Sequence, residues 1–213
     1  MIQIEYYYTG ILLVYVAFIM AMFSPGPNIL SVIGTSMNQG RAAGKALALG
    51  IGTGSFLWGM LTVSGLSALL TMYASVMVML KFLAAAYLLW LAFKAFRSAS
   101  RSQKMMISAV DINGRFWSYY RAGLAIQMSN PKAAFTWIAI ASLAVDPSAP
   151  LWVSVSVVLG TTIISIFGHL VYAVAFSTMP VVETYNRFSR WFESVLGAFF
   201  TFASYRLLTS DSN

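Results

Sequence analysis

Residues 11–37 read ILLVYVAFIMAMFSPGPNILSVIGTSM. The run is apolar enough for a membrane helix, yet Pro25, Gly26 and Pro27 stand in its middle. Proline lacks a backbone donor and clashes with the preceding turn, which costs about 3 kcal/mol in a helix interior. Hydrocarbon offers no water to a freed backbone group, so irregular backbone persists there only when buried in protein or lining a wet cavity. The stretch therefore predicts a first span that stops near Ser24 and restarts at Pro27 beside a cavity.

Composition makes the surroundings a membrane. Of 213 residues, 59% are hydrophobic and 9% charged, against about 25% charged in soluble domains. No charge interrupts Glu5 to Arg41, Lys45 to Lys81 or Asp146 to Glu183, and each stretch exceeds the ~20 residues a spanning helix needs. The first apolar run has no basic leader and no small-residue cleavage site, so it is expected to be retained. Hydropathy and turn signals predict six spans, near residues 6–37, 43–70, 74–96, 119–145, 150–178 and 189–208. The absence of cysteine excludes disulfides and thiolate metal sites. One histidine and six acids, most near segment ends, give no metal-ligand set, and no acid is placed securely within a span. No cofactor is expected. The net charge of +7 is read as cytoplasmic loop charge and not as a nucleic-acid footprint.

Basic residues fall on alternate connections. Arg41 and Lys45 lie in the first, and Lys94, Arg97, Arg101, Lys104, Arg115 and Arg121 in or beside the third. Arg187 and Arg190 lie in the fifth, while the second and fourth have none. The positive-inside rule then puts the odd connections in the cytoplasm and both termini outside. Trp117, Tyr119, Tyr120 and Trp152 are placed as interfacial anchors. The long connection divides the chain into a first three-helix unit (1–97), a basic cytoplasmic loop (98–118) and a second three-helix unit (119–213). Three is odd, so the second unit enters from the opposite side. That is the arithmetic of an inverted repeat.

The second unit carries its own interruption, LAIQMSNPKAAFTWIAIASL at 124–143, with Ser129, Asn130, Pro131 and Lys132. Asn130 is a preferred N-cap, and Pro131 follows at the first helical position, where a missing N–H is no loss. Pro27 can play the same part after Gly26. A helix start offers free N–H groups and about half a positive charge, which suits an anion. Lys132 adds a cation where one is unfavourable by at least ~2.5 kcal/mol at mid-bilayer, and such residues usually face a cavity. Two facing helix starts would make a carboxylate pocket.

These motifs, with GRAAGKALALGIGTGSFLWG at 40–59 and YLLWLAFKAFRS at 87–98, resemble the LysE/RhtB family of amino-acid exporters over nearly the whole chain. The resemblance implies a six-helix inner-membrane exporter of amino acids or close derivatives, driven by the proton motive force. Pro25, Gly26 and Pro27 match the family's first-span motif, and Asn130, Pro131 and Lys132 its fourth-span motif. Two positions depart from it. Ser55 stands where many members have an acidic or amide residue, and Ala92 where glycine is usual. The first difference disfavours a cationic side chain on the cargo and favours a neutral or apolar amino acid.

On this reading the substrate carboxylate meets the N–H groups near Asn28 and Ala133 together with Lys132. Its ammonium meets carbonyls near Ser24 and Ser129, the amides of Asn28 or Gln127, or the faces of Trp58 and Trp137. His169 is the candidate for carrying the coupling proton. The expected partners are an amino-acid substrate, protons and membrane lipid. The small-residue series Ala46, Gly50, Gly54, with Gly40, Gly44, Ala48 and Gly52 alongside, serves close helix packing, within the chain or in a homodimer. An uncoupled small-molecule channel or a membrane scaffold is the alternative. An enzyme is disfavoured, because His169 and Lys132 lack a nucleophile motif.

Overall fold

A computed structural model describes residues 2–24, 26–72, 74–101, 109–110, 114–144 and 149–209. Among these every element is helical: α1 (Ile2–Phe23), α2 (Pro27–Asn38), α3 (Arg41–Met72), α4 (Ala74–Arg101), α5 (Phe116–Ser129), α6 (Pro131–Ala144), α7 (Leu151–Ala175) and α8 (Met179–Thr209). Pro25, residues 102–108 and 111–113 of the basic connection, and 145–148 of the fourth connection lie outside the described residues.

Among the described residues, three helical stretches are long and apolar enough to cross a membrane: Arg41–Ser64, Lys81–Arg101 and Leu151–Ala175. The α1–α2 pair makes a fourth if it counts as one span, bent by 54° at the proline break. The expected fourth segment is likewise two helices, α5 and α6, parted at Asn130. The last helix differs from expectation, starting at Met179 and not near 189. Pro180 falls in its first turn, where proline is tolerated, and Val182 is buried against the α2–α3–α7 core. The stretch expected as a connection is therefore held as helix by packing.

Two packed groups meet at the breaks. In one, α4 and α8 lie along each other through Ala84, Leu88, Leu91, Ala95, Leu196 and Phe200, and the Ser204 hydroxyl donates to the Ala85 carbonyl at 3.0 Å. In the other, α3 lies between α5 and α7. The glycine series serves this second group inside the chain. A Cβ on Gly50 would collide with the Tyr120 carbonyl, and one on Gly123 with the Leu47 carbonyl, so α3 and α5 touch at the backbone. Gly52 faces Ile166 on α7, and Gly44 faces Ser36 on α2. Gly40, at φ +90°, turns the chain from α2 into α3.

The outer faces are apolar. Phe82, Phe93, Ile163, Phe167, Trp191 and Phe202 are all exposed, the kind of surface that a membrane or a protein partner covers. Trp117 is exposed and stacks edge-on with Phe116 and Tyr120, while Trp152 meets Tyr7 at 6.0 Å. Tyr119 is buried instead, in a small cluster with Ala43 and Ala46.

Candidate functional site

Both breaks restart a helix on a proline, and the two restarts lie against each other. At the first, Gly26 is the N-cap in extended conformation and supplies no side-chain cap, with Pro27 opening α2. At the second, Asn130 caps α6. Its Oδ1 accepts the Lys132 N–H at 3.0 Å, and its carbonyl accepts Ala133 N–H at 3.0 Å and Ala134 N–H at 3.2 Å. Pro131 opens that helix, as the N-cap pattern required.

A chain of amides joins the two. Asn130 Nδ2 donates to Asn28 Oδ1 at 2.9 Å, and Asn28 Nδ2 donates to Gln127 Oε1. Lys132 Nζ reaches across to the carbonyl of Ser24, freed where α1 ends. A cation there also meets the negative end of the α1 dipole. Gly26 leaves room for this: a Cβ on it would stand 3.2 Å from Lys132 Cδ and 3.3 Å from Nζ. Tyr87 of α4 braces the second restart, its hydroxyl donating to the Lys132 carbonyl at 3.1 Å.

Two cavities adjoin this junction. The inner chamber is about 60 Å³ and is lined by Asn28, Gln127, Lys132, Thr136, Trp137 and His169 among others. It has room for water but not for a ligand, given that ligand pockets run to ~300–1,000 Å³. The vestibule is about 890 Å³ and is bounded by α2, α4, α6 and α8, with Tyr87, Trp90, Lys94, Phe135 and Glu193 in its lining. Ser24, Gly26, Asn130 and Lys132 line both, so the junction is the wall between them.

The other expected residues divide. His169 is buried on α7 at the inner chamber, with Nδ1 2.7 Å from the Ser165 carbonyl. Trp137 lines the same chamber, 5.9 Å from Phe18. Trp58 Nε1 donates to the Gln127 carbonyl at 3.1 Å, which holds α5 near its end. Ser129 is exposed, and its hydroxyl donates to the Ala125 carbonyl of its own helix at 2.7 Å. It is not brought to the junction. Ser55 is fully buried with an unpartnered hydroxyl and lines neither cavity.

Sequence reasoning missed Lys94 and Glu193. Glu193 was expected near a segment end, yet it is 6% exposed and faces the vestibule. The signal was available: Ser189, Glu193, Leu196, Phe200, Ala203 and Leu207 form the buried stripe of α8 at helical spacing. The acid sits in register with the core.

Comparison with known proteins fits this architecture. The LysE type translocator family matches residues 7–211. The uncharacterized membrane protein YahN of Escherichia coli (strain K12) is 29% identical over 191 residues, covering 90% of this chain and 85% of that one. The threonine efflux protein of Salmonella typhi is 24% identical over 193 residues, covering 90% and 94%. The uncharacterized membrane protein PA4757 of Pseudomonas aeruginosa is 33% identical over 129 residues, 58% of each chain. No solved structure matches the chain. The match extends from α1 through α8, and the chain is therefore a multi-pass membrane protein that belongs to the LysE type translocator family.

Proposed function

We propose that this protein is a proton-driven secondary transporter that exports neutral or apolar amino acids across the bacterial inner membrane. The observation that carries the proposal is Lys132 at the head of α6, in the wall between a water-sized chamber and a ligand-sized vestibule. The relatives named for threonine efflux supply the substrate class. The carboxylate is received at the head of α2, where the cap residue Gly26 leaves the first turn open, with Lys132 beside it.

The proposal takes α1–α2 and α5–α6 as broken spans in a six-span inverted repeat. Exchanging α1–α4 with α5–α8 maps the α3–α5 contact onto α7–α1, and α3–α6 onto α7–α2. The α3–α7 and α4–α8 pairs map onto themselves. Other pairs break the exchange: α2 packs on α3 without a comparable α6–α7 contact, and α4 packs on α6 while α8 makes no comparable contact with α2 among the described residues. That is the side on which the vestibule lies. Its lining runs toward the ends of α4 and α8 that carry Arg97, Arg101, Arg187 and Arg190. With basic ends inside and both termini periplasmic, this is a cytoplasm-facing state, and alternating access would swap the two contacts. His169, across the inner chamber from the vestibule, is the proposed proton carrier, with Lys132 in the lining of the same chamber.

The test is efflux from liposomes holding the purified full chain, over a panel of single amino acids and with imposed pH gradients. The expected result is saturable, gradient-driven efflux of neutral amino acids, whose gradient dependence is lost in H169Q. A passive, non-saturating leak would instead support the uncoupled channel, and intact gradient dependence in H169Q would remove histidine from the coupling.

A further inference from the structure

A zwitterion brings an ammonium as well as a carboxylate, and the polar side chains of the junction are already engaged. The amides of Asn28, Gln127 and Asn130 are bonded to one another, and the Ser24 carbonyl already accepts Lys132. The Ser129 hydroxyl is bonded within α5 and points away. The anion that remains is Glu193. It lines the vestibule that Lys132 also lines. Ser98 and Lys94 line the same vestibule, and the Glu193 carboxylate closes no ion pair with Lys94 or Lys132 among the described residues.

A buried acid is expensive unless a cation answers it. Here two lysines and one acid surround an open volume of about 890 Å³ without meeting. Aromatic rings share the lining: Tyr87 stacks on Trp90 at 5.7 Å and on Phe135 at 5.3 Å. Opposite charges held apart over an apolar wall are complementary to a molecule with both charges and a neutral side chain.

We propose that Glu193 is the subsite for the α-ammonium of the exported amino acid, with the carboxylate on the Lys132 side and the side chain against the Tyr87–Phe135 wall. This rests on the exporter reading and replaces the carbonyls and amides as the ammonium's partner. Glu193 thus belongs to substrate recognition, whereas His169 belongs to coupling.

The experiment uses the full chain in liposomes loaded with radiolabelled L-leucine or L-threonine, with 4-methylpentanoate and 3-hydroxybutanoate as their competitors lacking the amine. In the wild type the amino acid competes strongly and its deaminated analogue at least about tenfold more weakly. In E193Q the half-saturation concentration for whichever amino acid is carried rises about tenfold or more, and the preference over the analogue collapses. E193D restores most of both. An unchanged half-saturation and preference in E193Q overturns the subsite. So does E193Q that exchanges substrate normally but ignores a pH gradient, because that makes Glu193 a coupling group. Should E193Q fail to fold, wild-type competition decides alone, and equal competition by the analogue overturns the proposal. Liposomes that release neither amino acid would sink the exporter reading and this inference with it, whereas intact export with an indifferent Glu193 sinks only the inference.

Discussion

At the first break the helix restarts with nothing over its head: Gly26 is extended, has no side chain, and leaves the opening turn of α2 without a side-chain cap. At the second, Asn130 closes the opening turn of α6 with its own side chain and carbonyl, then extends its amide to Asn28. Lys132, one residue further, answers the carbonyl that the first break set free. The second break is self-sufficient and supplies polar groups to the first. The first depends on its partner and keeps N–H groups open. A carboxylate is therefore better received at α2 than at α6, and the symmetry expected of two facing helix starts is broken in favour of one.

That difference is tested most severely at Lys132. In Lys132→Met the Ser24 carbonyl loses a charge-assisted partner, worth about 1.5–3 kcal/mol, and the junction loses its cation. Efflux is expected to fall more than about tenfold, with a lower melting temperature in detergent. Its counterpart at the first break, one residue past Pro27, is Asn28. Asn28→Ala removes only neutral hydrogen bonds, and in membranes these average about 0.6 kcal/mol each. Equal losses in the two variants would remove the asymmetry.

A smaller effect separates the caps themselves. Asn130→Ala gives up an N-cap, typically about 1 kcal/mol, together with the bond to Asn28. Gly26→Ala gives up no cap. Its backbone at φ −149° suits alanine, and the new methyl meets only the flexible end of Lys132. Unfolding monitored in detergent should therefore rank Asn130→Ala well below Gly26→Ala in stability. Because Asn28 and Asn130 share one hydrogen bond, their double variant should lose less than the sum of the singles.

The sequence announced the breaks because proline and asparagine act locally: Pro27, Asn130 and Pro131 set their own backbone whatever packs around them. Lys132 was legible for a similar reason, since a charge in an apolar run must be answered. What stayed hidden was non-local. That Lys132 answers Ser24 requires α1 and α6 to meet, and no spacing states that. Glu193 was masked by the polar stretch before it, which reads as a connection although Val182 packs it as helix. The α8 stripe from Ser189 to Leu207 carries the acid's register, but the vestibule it faces is built with other helices, which the stripe does not name. The glycines announced close packing but not their partners, which are Tyr120, Ile166 and Ser36 of this same chain.

The smallest expected effect bears on the serines that open the two motifs. Ser24 and Ser129 each precede a break, and the carbonyls near both are expected to be free for an ammonium. In the folded chain the oxygen that matters at Ser24 is its backbone carbonyl, which any residue supplies. The Ser129 hydroxyl bonds carbonyls of its own last turn, Ala125 at 2.7 Å and Ile126 at 3.4 Å, on an exposed face. Exposed side chains without wider contacts usually change stability by less than ~0.5 kcal/mol when removed. Ser24→Ala and Ser129→Ala should therefore each keep wild-type half-saturation and maximal efflux. A rise in half-saturation for Ser129→Ala alone would mean that α5 rotates to face the substrate in another state of the cycle, and the second break would then be less fixed than its cap implies. A rise for Ser24→Ala alone would give the first break a side-chain ligand of its own, and its dependence on Lys132 would be only part of its chemistry.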